Sequence, residues 1–167
     1  ADDAALDAAR RLAAVGRRLL IEFDAMPLEQ RPDGVISVQL NTAHALRHLW
    51  NVERDAAARD EALMLYQRVL DAVPRSREAL RGFAELAEDA NRHREALDAW
   101  RTLLAAADRG ADEWFRIRYR HARTLARVDR ERARSILAQH RTLYPNWGPE
   151  PWGDRLRELA DELGVQP

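Results

Sequence analysis

Ala62, Tyr66 and Pro74 stand four and then eight residues apart, and a shift of 34 residues lands on Ala96, Trp100 and Asp108. The same shift carries Glu61-Ala62-Leu63 onto Glu95-Ala96-Leu97. A third copy, Ala133, Leu137 and Pro145, follows at an interval of 37. No other feature constrains the fold as strongly. A unit this short cannot bury an apolar face alone, so it must stack on copies of itself. At each position the small residue lets one helix approach another closely, the bulky residue one turn later fills the next layer, and the last residue ends the helix.

Composition agrees with helix almost throughout. Among 167 residues there are only seven Gly and seven Pro, too few for the turns of an all-β chain. The basic side chains number 27 against 28 acidic, and every basic one is Arg, a bias expected of a GC-rich bacterium. That near balance excludes a bulk polycation and an acidic tail, while 33% charged beside 46% apolar residues suits a soluble, ion-pair-rich surface. The absence of Cys removes disulfides, thiolate metal sites and cysteine nucleophiles together. No window approaches the roughly 18 apolar residues of a membrane span. The chain begins Ala1-Asp2-Asp3 without Met, as expected of a cleaved secretory signal or a fragment of a longer protein. Bacterial cytoplasm and periplasm both stay open.

The pattern predicts about eight helices and no strand, in a single domain over 1–167. A first helix and its connection occupy 3–34, with Ala5, Ala9, Leu12, Gly16, Leu19 and Phe23 as its apolar seam. Helix pairs follow over 35–74, 76–108 and 112–145, and a last helix over 150–163 has Trp147 and Trp152 at its entry. Ser76 and Asp129 are expected N-caps, and Asn91 and Gly110 suit left-handed helix exits.

Over about 41–145 the chain resembles the tetratricopeptide repeat family, whose 34-residue helix–turn–helix unit runs W-x2-L-G-x2-Y, then A-x3-F, then P. The best match is Leu80, Phe83, Ala84 and Ala87, then Ala96 and Trp100. The preceding unit matches through Ala43, Leu46 and Trp50, then Ala62, Tyr66 and Pro74, with three extra residues in its turn. The third, degenerate copy has His121, Ala122 and Leu125, then Ala133, Leu137 and Pro145. The resemblance implies an all-α, right-handed α-solenoid of stacked antiparallel helix pairs with helix 150–163 as its C-terminal cap. It also implies a non-enzymatic scaffold whose first helices line a concave groove for a peptide or protein partner.

Helical phase places the side chains opposite the apolar arcs of the three first helices. They are Asn41, His44, His48 and Asn51; then Glu78, Arg81, Glu85, Glu88 and Asp89; then Arg116, Arg120, Arg123 and Arg127. These neutral, acidic and basic rows make Asn41, His44, His48, Asn51, Arg81, Glu85, Arg116, Arg120, Arg123 and Arg127 the candidate partner-binding residues. Arg grips carboxylates in a bidentate fork. Acidic and basic rows can equally pair with each other and keep the surface solvated.

Other constellations point less far. His44 and His48, at i and i+4, share a face but lack the third ligand of a zinc site, so no metal or cofactor is expected. His121 is expected to pack in the third repeat, and His140 has no visible partner. No phosphate loop or nucleophile elbow occurs, so no enzyme is read here. The rival is single-stranded nucleic acid on the arginine-rich stretch 116–134, where Phe115 and Tyr119 lie among eight arginines, interrupted by Asp129 and Glu131. A structural module of a larger bacterial protein, self-associating through helix 3–24, is the third reading.

Overall fold

Eight α-helices and one 3-10 turn follow one another along the chain, without a strand among the described residues. The structure, a computed structural model, describes residues 2–165. The helices are α1 (Asp2–Asp24), α2 (Val35–Glu53), α3 (Ala56–Ala72), α4 (Arg77–Asp89), α5 (His93–Ala106), α6 (Asp112–Val128), α7 (Arg130–Leu143) and α8 (Trp152–Glu162). None is long and apolar enough to cross a membrane. The chain divides into two compact units, Ala1–Leu86 and Ala87–Pro167.

The boundaries follow local chemistry. Val73 and Tyr144, each before a proline, leave helix at nearly the same angles, φ −132°, ψ 80° and φ −131°, ψ 80°. Proline clashes with a helical residue before it and forces that exit. The turns then close alike, Ser76 N–H donating to the Val73 carbonyl at 3.0 Å and Trp147 N–H to that of Tyr144 at 2.8 Å. Two equivalent positions of the recurrence therefore share a backbone. Asn91 (φ 59°) and Gly110 (φ 91°) take the expected left-handed exits. The Asp129 carboxylate accepts from Arg132 N–H at 2.9 Å as an N-cap, and Asp55 caps α3 in the same way.

In the first unit α1 packs on α2 and α2 on α3. The expected seam of α1 is partly displaced. Ala5 is exposed and Leu12 is 47% exposed, while Ala9, Ala13, Gly16 and Leu20 are buried. The reason is distance: a Cβ built on Gly16 would lie 1.9 Å from Thr42 Oγ1, so α1 meets α2 on its smallest residues. Three ion pairs fasten α1 to its neighbours, Arg10 with Glu53, Arg17 with Glu61, and Arg68 with Asp24 at 2.9 Å. Gly82 of α4 sits against the Tyr66 ring of α3, where a Cβ would approach Cζ to 2.3 Å.

In the second unit α6 packs on both α5 and α7, and α8 covers α6 and α7. Ala96 with Trp100 and Ala133 with Leu137 are fully buried, as Ala62 and Tyr66 are in the first unit. Phe115, Trp114, His140, Tyr144 and Trp147 form one aromatic cluster, with the Phe115 and Tyr144 rings edge to face at 5.0 Å.

Candidate functional site

The neutral row of α2 divides by exposure. Asn41 and Asn51 face solvent, whereas His44 and His48 are half-buried. The His44 ring lies 5.7 Å from that of Tyr66, and burial, reinforced by the Arg47 charge, holds its pKa below the usual histidine range. Glu85 of α4 is not an open carboxylate. It accepts from Arg47 at 2.7 Å, and both side chains are about one-third exposed. Arg81 is half-buried on the same helix. Among the described residues no three His, Cys, Asp or Glu side chains gather as a metal site would require.

In the second unit the basic row of α6 converges on one carboxylate. Glu88, expected in an exposed acidic row, has a side chain only 11% exposed. It accepts from the Trp100 indole Nε1–H at 2.7 Å, from Arg123 at 2.7 Å, from Arg120 at 3.4 Å and from the Thr124 hydroxyl. The cause is Trp100. Packed at the large-residue position of α5, it buries an N–H that must find an acceptor, and Glu88 on α4 supplies it. The carboxylate then needs countercharge, which Arg120 and Arg123 provide one helix further on. Arg116 pairs with Glu113 on its own helix at 3.4 Å, and Arg127 is exposed. A cleft of about 320 Å³ opens beside this cluster, its wall including Asn91, His93, Thr124 and Arg127.

The arginine-rich stretch does not form one stripe. Arg118 donates to the Ile136 carbonyl at 3.0 Å, Arg130 to that of Glu162 at 3.1 Å, and Arg134 to that of Gly164 at 3.2 Å. Phe115 is buried in the aromatic cluster and presents no open ring face for stacking. Only Tyr119 keeps a part-exposed ring, with the Arg123 guanidinium 5.6 Å from its centroid.

His140 does have a partner. Only 1% exposed, it bonds through Nε2 to the Trp147 carbonyl at 3.0 Å and so ties α7 to the turn before α8. An acceptor carbonyl fixes Nε2 as the protonated nitrogen. His121 is held to about 4 by burial and then by Arg118, Arg101 and Arg132, and burial also lowers His140. These folded-state values lie below that of an unfolded histidine, so the unfolded chain binds more protons between them. Stability is therefore complete above about pH 6.5 and falls as pH drops toward 4. Denaturant midpoints across that window are expected to decrease with acidification, and His121→Gln to flatten the decline. An unchanged slope in that variant would show that His121 is not held neutral by folding.

Comparison of the chain with models of known families, with curated proteins and with solved structures yields no match.

Proposed function

We propose that the chain is a tetratricopeptide-like helical repeat module that binds a peptide or protein surface on the polar faces of its first-position helices. The observation that carries this reading is the recurrence itself. Its small and large positions are buried alike in all three copies, at Ala62 and Tyr66, Ala96 and Trp100, and Ala133 and Leu137. Elements whose apolar faces are spent on one another leave their opposite faces for recognition.

Within the second unit, the face around Glu88 is the better recognition surface. Its cleft has Arg127 exposed at one side and the anchored Arg123 beside it. A guanidinium already held by a carboxylate is pre-organised, so less side-chain entropy is lost when it meets a partner. Mixed charge there fits a peptide with polar and acidic groups and gives orientation and specificity more than raw affinity. Six of the eight arginines of 116–134 are directed to several different acceptors, which disfavours a track for a nucleic-acid strand.

The test is selection from a random peptide library, followed by anisotropy titration of the selected peptides. Arg127→Glu is expected to weaken binding about tenfold, the scale of one charge-assisted contact, and Arg68→Ala to leave it unchanged. Selection of peptides insensitive to Arg127→Glu would overturn the assignment. So would preferential binding of single-stranded RNA with affinity falling steeply with salt, the mark of counterion release.

A further inference from the structure

Over most of this chain arginine meets carboxylate: Arg17 meets Glu61, Arg47 meets Glu85, and Arg123 meets Glu88. One cavity departs from that habit. It is a solvent-open cavity of about 470 Å³ within the second unit, among α5, α6 and α7. Its polar wall is Arg101, Arg109, Arg118, Arg132 and His121, and no carboxylate is among its lining residues. The remaining wall is apolar, chiefly Leu97, Leu104, Trp114, Leu125 and Ile136.

Arg101 is neutralised from outside by Asp98 at 2.5 Å. Arg109, Arg118 and Arg132 enter no ion pair among the described residues. Arg118 is half-buried, with its guanidinium 5.9 Å from the Trp114 ring centroid, and its Nε has no acceptor. His121 Nδ1 is likewise buried without a partner. The local field is strongly positive: burial and three arginines push His121 down to about 4, and burial with Arg109 lowers even Arg118. Gathering like charges beside an apolar wall opposes folding, and the packing offsets it only in part, through Asp98 on Arg101 and the Ile136 carbonyl that accepts from Arg118. An anion in the cavity would offset the rest.

We propose that this cavity binds an amphipathic organic anion, with a carboxylate or phosphate head held by Arg109, Arg118 and Arg132 and an apolar body against Leu104, Trp114 and Ile136. Guanidinium forks suit either head group, and the volume falls in the range of small-molecule sites. The site uses none of Arg120, Arg123 and Arg127, so it stands apart from the peptide-binding reading.

Calorimetric titration of the whole chain with octanoate, octyl phosphate, octan-1-ol and acetate tests it. Octanoate and octyl phosphate are expected to bind at one site, the tighter of the two identifying the head group. Octan-1-ol, lacking the charge, and acetate, lacking the body, should each bind at least about tenfold more weakly. Arg109→Gln combined with Arg132→Gln, both exposed and outside any ion pair, should leave the melting temperature unchanged or raise it, since two like charges are removed, yet weaken octanoate binding by about tenfold or more. Saturating octanoate should also raise the NMR titration midpoint of His121, because a nearby anion favours the imidazolium. Equal binding of octan-1-ol, undiminished binding in the double variant, or no binding of either amphipathic anion would overturn the proposal.

Discussion

Glu88→Ala is expected to destabilise the protein by about 2–4 kcal/mol, more than any other single surface-phase substitution in the second unit. The loss has two parts. Trp100 Nε1–H, on a residue 2% exposed, would be left without an acceptor, at about 1–3 kcal/mol for a buried unsatisfied donor. Arg120 and Arg123 would lose their shared countercharge, but their side chains are 33% and 40% exposed and can turn to water, which limits that part. Glu88→Gln separates the two. The amide oxygen still accepts from Trp100 while the charge is gone, so roughly half the loss should return. Urea denaturation followed by tryptophan fluorescence reads the effect chiefly where it occurs, since four of the five tryptophans, Trp100, Trp114, Trp147 and Trp152, lie in the second unit. If Glu88→Ala lowered the unfolding free energy by less than about 0.5 kcal/mol, water would be replacing these bonds and Glu88 would not organise α4, α5 and α6.

Glu88 also shows where sequence reasoning ran out. The helices were legible because their ends are local events: proline exits at Val73 and Tyr144, an Asp129 cap, left-handed residues at Asn91 and Gly110. The buried pairs of the recurrence were legible because helical period and repeat interval together locate one face. Phase gives direction, however, and says nothing of how far away the next helix stands. Glu88 lies opposite the apolar arc of α4, which suggested a solvated carboxylate, yet α6 passes near enough to bury it. One signal was present: an indole at a core position needs an acceptor one helix away, and Glu88 is the carboxylate that answers it. In α1 the same limitation displaced part of the seam: Ala9 and Gly16 are buried as expected, but counting large residues favours Leu12, whereas the close approach of Gly16 to Thr42 puts Ala13 and Leu20 on the buried face. The basic cavity was invisible for a third reason. Its wall comes from three helices and a turn, and no single helix face contains more than two of its cations.

Gly148→Ala is expected to cost about 2–4 kcal/mol, and Gly110→Ala only about 1 kcal/mol, although both glycines hold positive φ. Gly110 at φ 91° has nothing within 4 Å of where a Cβ would stand, so alanine there meets conformational strain alone. Gly148 at φ 106° has that strain and a collision as well, since its Cβ would lie 2.4 Å from Phe115 Cε1. The ring has little room to yield. Phe115 is 3% exposed and is met edge-on by Trp114 at 5.1 Å and by Tyr144 at 5.0 Å. Nor can the backbone retreat freely, because the Gly148 carbonyl is packed against Gly153, where a Cβ would stand 2.5 Å from that oxygen. The turn is held from its other side by His140 on the Trp147 carbonyl. Displacing it would loosen the seating of Leu156, Leu159 and Ala160 of α8 on α6 and α7. The difference between the two variants, measured by denaturant unfolding under one set of conditions, isolates the packing contribution at about 1–3 kcal/mol. Equal losses at both positions would mean that Phe115 moves aside at no cost and that the aromatic cluster does not fix the approach to α8.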